Sequence, residues 1–500
     1  MEKNVLEFLE NSQRMYGEKT ACADMNNELT YTQLMNQAKF IGSCLSLKIK
    51  PTQGVPVYMD KTCNTLSLFM GIVYAGGYYC MLDTTHPVER INLILDTIQA
   101  DILVVDNKSA KKAEKLGFQG EIINLDELLE EYDGQVVDSE AQERLEKIRE
   151  QALDTDPLYS IFTSGSTGVP KGVIVNHRSV IDFIDCFTDT FNISENDIIG
   201  NQAPFDFDVS VKDIYSTLKC GATIQIIPKQ LFSFPTKLLD YLDDNNVTTL
   251  VWAVSALCIV TTLNGFEYKV PSKINKVIFS GEVMPIKHLN LWRKAYPDAM
   301  FVNVYGPTEI TCNCTYYIVD REYELDETLP MGKAFPNERV FLLDDDDNII
   351  TESQPGTTGE ICVSGTAVTM GYYNNPEKTD AAFVQNPLNN KYNEIIYRTG
   401  DLGYYNNDGL MCFSSRKDFQ IKHMGHRIEL GEIEAAMDKV PEIVRSCCIF
   451  DTVKSKIVAF YEGDIERRPL AKALGQYVPA FMVPNVFRQV EKMPLTKNGK

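Results

Sequence analysis

Short apolar runs alternate with stretches of helical period along most of this chain. Thr20-Ala-Cys-Ala23 is followed by Thr30-Tyr-Thr-Gln-Leu-Met-Asn-Gln-Ala38, whose apolar spacing opens a helix, and then by the strand-like Gly54-Val-Pro-Val-Tyr58. The alternation returns at Ile102-Leu-Val-Val105, Ala222-Thr-Ile-Gln-Ile-Ile227, Thr249-Leu-Val-Trp252 and Lys276-Val-Ile-Phe279. A pattern of this kind predicts an α/β fold in which helices cover parallel sheets. Around residues 340 to 365 it becomes β-rich, with Val340-Phe-Leu-Leu-Asp344 and Gly359-Glu-Ile-Cys-Val-Ser364 separated by turn residues, and predicts a smaller barrel-like subdomain. Beyond residue 416 come Phe419-Gln-Ile-Lys422, a helix opened by Glu429-Leu-Gly-Glu-Ile-Glu434, and strands near Ile443–Phe450 and Lys456–Tyr461, which make a small α+β unit. No internal repeat interrupts this order, and no proline or glycine run marks where the small unit starts.

The chain has 500 residues, enough for about three average domains or one large body with an appendix. An apolar fraction of 44% is that of a packed protein, and no run approaches the roughly 20 apolar residues of a membrane span, so no membrane insertion is expected. Met1-Glu-Lys-Asn-Val-Leu-Glu-Phe-Leu-Glu10 has the mix of acids and apolar residues of an amphipathic helix and lacks the basic start of a signal peptide, which predicts a cytoplasmic protein. The 13 cysteines, several of them inside apolar runs (Cys258, Cys362, Cys412), read as reduced core residues, and neither Cys312-x-Cys314 nor Cys447-Cys448 has a second pair at zinc spacing. A formal charge of −21 argues against nucleic acid as a partner and requires that any anionic ligand be met by local cations and oriented amides.

One loop has that character. Phe162-Thr-Ser-Gly-Ser-Thr-Gly-Val-Pro-Lys171-Gly172 follows the apolar run Leu158-Tyr-Ser-Ile-Phe162. Gly165 and Gly168 allow positive φ and close approach of backbone N–H groups to a polyphosphate, Thr163, Ser164, Ser166 and Thr167 add short donors, and Lys171 adds a cation. Lys171 is followed by Gly172 rather than Ser or Thr, so the loop is not a Walker A element, and by itself it fits a surface turn equally well.

Downstream come Asn201-Gln-Ala-Pro-Phe-Asp-Phe-Asp208, Phe279-Ser-Gly281-Glu282, Asn303-Val-Tyr305-Gly-Pro-Thr308-Glu309, Gly371-Tyr372, Tyr397-Arg-Thr-Gly400-Asp401, Arg416-Lys-Asp418-Phe-Gln-Ile-Lys422, Gly425-His-Arg427-Ile-Glu429 and Pro494-Leu-Thr-Lys-Asn-Gly-Lys500. In this order and spacing, from about residue 10 to residue 500, the set resembles the adenylate-forming superfamily: amino-acid adenylation domains of peptide synthetases and, more narrowly, stand-alone D-alanine:D-alanyl carrier protein ligases. The resemblance implies a core over 1–416 and a mobile C-terminal lid over 417–500 with its hinge at Asp418, ATP and Mg²⁺ as cofactors, and an amino acid and a phosphopantetheinylated carrier protein as partners.

It also implies roles. Thr163 to Gly168 and Lys171 would hold the β- and γ-phosphates, Asn303, Val304, Tyr305, Gly306, Pro307 and Thr308 would border the nucleotide, and Glu309 would hold Mg²⁺ beside a catalytic Thr308. The bland reading of the last pair is a helix N-cap and its first turn. Asp401 would take the ribose hydroxyls and Arg416 would make a second nucleotide contact, although Ser415 stands where the family usually has Gly. Lys500 is the implied catalytic lysine, reaching the substrate carboxylate and the α-phosphate. Asp208 would meet the substrate α-ammonium, unless it merely caps a helix starting at Val209; acyl-CoA synthetases for plain acids have no cation to place there.

The side-chain pocket would be lined by Val209, Lys212, Ser255, Ile278, Ser280, Val304, Cys312 and Asn313. Its flanks favour a small, D-alanine-like substrate, whereas Lys212 stands at an otherwise apolar position. That lysine needs an anion, an acidic substrate side chain or a neighbour such as Asp213 or Asp206, or else must reach solvent. A nucleotide sensor descended from the same fold would have lost Lys500, Asp401 or the 163–171 loop, and none is lost.

Overall fold

The computed structural model describes residues 2–134, 136–165, 168–452 and 454–493, so Ser166, Thr167 and Lys500 among the expected site residues lie outside the described part. The architecture is α/β. A nine-stranded sheet runs in the order Lys333–Ala334, Thr315–Ile318, Met300–Tyr305, Lys276–Ser280, Thr249–Ala253, Ile198–Asn201, Thr223–Ile226, Thr20–Ala23, Glu28–Thr30. From Met300–Tyr305 to Thr20–Ala23 every pairing is parallel. A six-stranded sheet follows the order Glu121–Asn124, Ile102–Val105, Gly54–Tyr58, Tyr78–Leu82, Pro157–Thr163, Lys171–Asn176, and is parallel except for its last pair. That antiparallel hairpin pairs Thr163 with Lys171 and so carries the glycine-rich loop at its tip.

Local chemistry accounts for the element ends. Helix Tyr31–Leu45 starts where Thr30 and Gln33 form a reciprocal capping box. The first helix occupies Leu6–Tyr16, later than the acidic N-terminal stretch indicates, with Leu6, Phe8 and Leu9 in the core. The β-rich region extends past its expected end: six antiparallel strands span Glu338–Leu343 to Met411–Arg416, and the last of them sets Arg416 opposite Asp401. Ser415 lies in that extended strand opposite Leu402, a geometry any side chain adopts, so its departure from the family's glycine strains nothing.

Residues 420–489 pack around a hydrophobic cluster of their own, including Ile428, Ile433, Met437, Ile457, Leu470 and Met482. They form the hairpin Gln420–His423/His426–Glu429, helix Leu430–Met437 and a three-stranded sheet with helix Arg467–Leu474. One cysteine expectation is corrected: Cys22 and Cys63 are joined in a disulfide, with Cα atoms 5.8 Å apart. The Asp24 carboxylate accepts from the Cys63 N–H at 2.9 Å and seats the start of helix Cys63–Tyr74 against strand Thr20–Ala23. This is a tertiary contact across 41 residues that spacing does not announce. Among the described residues no helix is long and apolar enough to cross a membrane.

Candidate active site

The parallel strands end on a cavity bordered by Thr163, Ser164, Asp208, Ser280, Thr308, Asp401 and, from the 420–489 unit, Gln420, Lys422, Gly425, His426 and Arg427. Ligand sites of open α/β sheets lie at such C-terminal strand ends. Despite the chain's net charge of −21, Arg90, Arg416, Lys422 and Arg427 all border this cavity. Local cations override the global field there.

Glu309 is its electrostatic centre. The carboxylate is fully buried, accepts from Arg427 Nη1 at 2.7 Å and Tyr372 OH at 2.8 Å, and lies 3.8 Å from Lys171 Nζ. Burial alone would raise its pKa, but Arg427 and Lys171 outweigh burial and hold it down to about 2. Lys171 is pushed down to about 8 by burial and by Arg427, and its ammonium sits 5.1 Å over the Tyr372 ring. Thr308 does not cap a helix: it is the first residue of the 3₁₀ turn Thr308–Ile310, and Pro307 precedes it as the cap residue.

Thr308 borders the same cavity as Asp208 and pulls the Asp208 pKa down. Burial raises the pKa of Asp208, against the pull of Thr308 and Lys212. Asp208 makes no side-chain cap bond to helix Val209–Cys220, which removes the capping explanation and leaves the carboxyl facing the cavity. On the nucleotide side, Asp401 is buried and accepts from Tyr305 OH at 2.6 Å and from Arg416. Arg416 in turn grips Asp418 through Nε and Nη2 at 2.6 and 2.7 Å. Asn303 is turned to the Pro330 carbonyl at 2.8 Å.

The 420–489 unit engages the phosphate loop itself. Glu432, ion-paired with Arg90, accepts from the Gly165 N–H at 3.2 Å, and Ser164 Oγ donates to the Arg427 carbonyl at 2.9 Å. A carboxylate thus sits on an amide expected to hold phosphate, and a guanidinium sits on the carboxylate expected to hold a cation. Gly168 takes a left-handed φ of +79°, as the loop reading expects, whereas Gly165 does not and is needed instead for close approach, since a Cβ there would collide with the Val169 carbonyl oxygen. Gly425, at φ +80°, donates its N–H to Glu282, and a Cβ there would stand 3.3 Å from Ser255 Oγ.

The expected side-chain pocket is assembled in part. Val209, Ser280, Cys312 and Asn313 border the cavity, whereas Ile278 and Val304 are core residues of the central sheet, Ser255 touches the cavity's Gly425 side, and Lys212 lies behind the wall. Lys212 Nζ donates to Asn313 Oδ1 at 2.7 Å and reaches Ser280 Oγ at 3.5 Å, and it is fully buried. It neither reaches solvent nor pairs with Asp206, and Asp213 turns away to accept from Asn201 at 2.6 Å. Both of those expected outlets are overturned.

Sequence reasoning missed Arg90, Glu432, His86 and Phe481. Arg90 left a signal, because it lies on the buried face of helix Val88–Ile98 with Ile94 and Ile98, and a cation there requires an anion. Phe207 and Phe481 flank His426, which stacks on Phe481 at 3.7 Å, and His86 meets the Phe481 ring in turn; nothing in their local sequence marks this wall.

Residues 9–373 match the family model described as AMP-binding enzyme. The chain belongs to the AMP-binding enzyme family. It is an adenylate-forming enzyme of the ligase type, homologous to nonribosomal peptide synthetase adenylation domains. Among its relatives, zwittermicin A synthase ZmaJ of Bacillus cereus is 32% identical over 94% of this chain and 88% of that protein. Tyrocidine synthase 1 of Brevibacillus parabrevis is 29% identical over 100% of this chain, which spans only 44% of that synthase. The fold is that of Vibrio cholerae AlmE, an adenylation domain solved with glycyl-adenosine-5'-phosphate, at a TM-score of 0.85 and 21% identity over 100% of this chain and 96% of that one. It is equally that of NpsA-ThdA from Klebsiella oxytoca, an artificially fused adenylation and carrier di-domain, at a TM-score of 0.83 and 19% identity over 97% and 93% of the two chains.

Proposed function

We propose that this AMP-binding enzyme condenses a free amino acid with ATP to an aminoacyl-AMP, releasing pyrophosphate, and then passes the acyl group to the phosphopantetheine thiol of a carrier protein, releasing AMP. The observation that carries the reading is Asp208, a carboxylate released from helix capping, facing the cavity beside Thr308, where it meets an α-ammonium. An acyl-CoA synthetase for plain acids would bring no ammonium to that buried carboxylate, which then gains nothing from the substrate for the cost of its burial.

ATP would lie between the 163–171 loop and Asp401, with Thr308 and Glu309 near the α-phosphate. Glu309 suits Mg²⁺, because its surroundings already keep it ionised against positive charge, and the ion would neutralise phosphate oxygens. Arg427 and Glu432 supply the same signs of charge as that cation and a phosphate, so their present contacts compete with ATP. This favours two arrangements: one with the 417–500 lid withdrawn from the loop and Lys500 engaged, and one, like the present, with Gly425 at the cavity and the aromatic wall of His86, His426 and Phe481 open to a pantetheine arm. Asp418 is the hinge of that exchange. Asp418→Pro, which fixes φ, is expected to impair either pyrophosphate exchange or thioester formation at least tenfold more than the other. Equal losses in the two assays would count against alternation.

Two side-chain classes compete for the cavity: a small, D-alanine-like residue, favoured by the sequence flanking the pocket, and an acidic one, favoured by Lys212. ATP–pyrophosphate exchange across D- and L-amino acids and their deaminated analogues tests the reaction. Exchange with an amino acid and none with its deaminated analogue is expected; equal exchange with plain carboxylic acids would defeat the proposal.

A further inference from the structure

Lys212 occupies one of the most enclosed positions in the molecule, one turn into helix Val209–Cys220 and directly beneath the cavity wall made by Ser280, Cys312 and Asn313. An ammonium has three N–H donors and no acceptor. One is used well, on Asn313 Oδ1 at 2.7 Å; the contact with Ser280 Oγ, at 3.5 Å, is long, and the thiol of Cys312 alongside is a weak acceptor. No carboxylate oxygen of any described residue lies within ion-pair distance of Lys212 Nζ, although a cation enclosed this completely is normally paired.

The nearby acids do not complete it. Asp213 turns Oδ2 onto Asn201 and makes no ion pair with Lys212, and burial pushes it up to about 7 against the pull of Lys212 and Lys61, so it is a weak counter-charge. Asp208, at the N-terminus of the same helix, is the other negative group in electrostatic reach of Lys212, beside the weakened charge of Asp213. Without substrate, Asp208 and Lys212 balance. An α-ammonium bound at Asp208 takes that balance away, and once the α-carboxylate has become the acyl group of an adenylate it contributes no charge. The floor of the site then holds two cations against Asp208 and the weakened charge of Asp213, with the positive end of the helix dipole adding to the excess. A second carboxylate on the substrate restores neutrality.

Resting on the amino-acid-activating reading above, we infer that the substrate is an α-amino acid with a carboxylate side chain, which enters between Val209, Ser280 and Cys312 and takes the place of Ser280 as a partner of the Lys212 ammonium. Lys212 is then the specificity-determining residue, with Asn313 holding it in position. Aspartate and glutamate share this chemistry and differ by one methylene; the charge argument applies to both.

The test compares each acid with the amide of nearly the same shape. In pyrophosphate exchange by the intact wild-type protein, kcat/KM for aspartate or glutamate is expected to exceed that for asparagine or glutamine, and for alanine, by roughly 10-fold or more, the scale of one buried charge pair. Lys212→Met, which keeps length and removes charge, is expected to bring acid and amide within a few-fold of each other or to reverse their order. Equal use of acid and amide by the wild type, or a preference for alanine, overturns the inference while leaving amino-acid activation intact. An acid preference that survives in Lys212→Met overturns the role of Lys212. Exchange with no amino acid at all would instead defeat the underlying activity. If Lys212→Met does not fold, the wild-type comparison of acid and amide still decides.

Discussion

Lys500→Ala is expected to slow amino-acid-dependent pyrophosphate exchange by ~10²–10³, the effect of removing one preorganised charge from a developing oxyanion. Adenylate formation brings a carboxylate up to the α-phosphate, two anions that repel until a cation lies between them. The same variant is expected to transfer the acyl group from a preformed adenylate to a thiol at near wild-type rate, because among the described residues Arg90, Arg416, Lys422 and Arg427 already place cations at the cavity for that step. The two half-reactions, measured separately, make the check. Unchanged exchange would remove Lys500 from the first step, and equal losses in both would remove the division of labour between the arrangements.

Asp208→Asn is expected to lower kcat/KM for the amino acid by a comparable factor, since truncating one partner of a buried charge pair costs roughly 2–5 kcal/mol. The fall is expected to be confined to substrates that carry an α-ammonium. A deaminated analogue, used poorly by the wild type, should be used no worse by the variant, because it has no cation for Asp208 to meet. Thr308→Val is the comparison: it should cost less in amino-acid KM than Asp208→Asn, because the carboxyl supplies the charge that meets the ammonium. An Asp208→Asn enzyme with unaltered KM for its amino acid would show that the ammonium is bound elsewhere.

Much of the fold is legible in the chain. Parallel sheets buried on both faces need apolar runs spaced by helices, and the runs at Ile102–Val105, Thr249–Ala253 and Lys276–Ser280 supply them in register with the observed strands. The place of the hydroxyl- and glycine-rich loop at a strand end, and of Asp208 beside the cavity, was readable because each belongs to a compact motif that follows an apolar run. Local sequence determines these features, since each depends on residues a few positions apart.

What required the tertiary structure depends on distant partners. Nothing local marks Cys22 and Cys63 as a pair, Glu432 as the partner of both Arg90 and the Gly165 amide, or Arg427 as the cation on Glu309; each contact joins segments brought together only when the 420–489 unit or the central sheet closes on its neighbours. The same holds for Lys212. From the sequence it had three outlets, solvent, a neighbouring acid or a substrate. Packing closed two of them, because the helix turned Asp213 Oδ2 toward Asn201 and the sheet sealed off solvent; the third is the one proposed above.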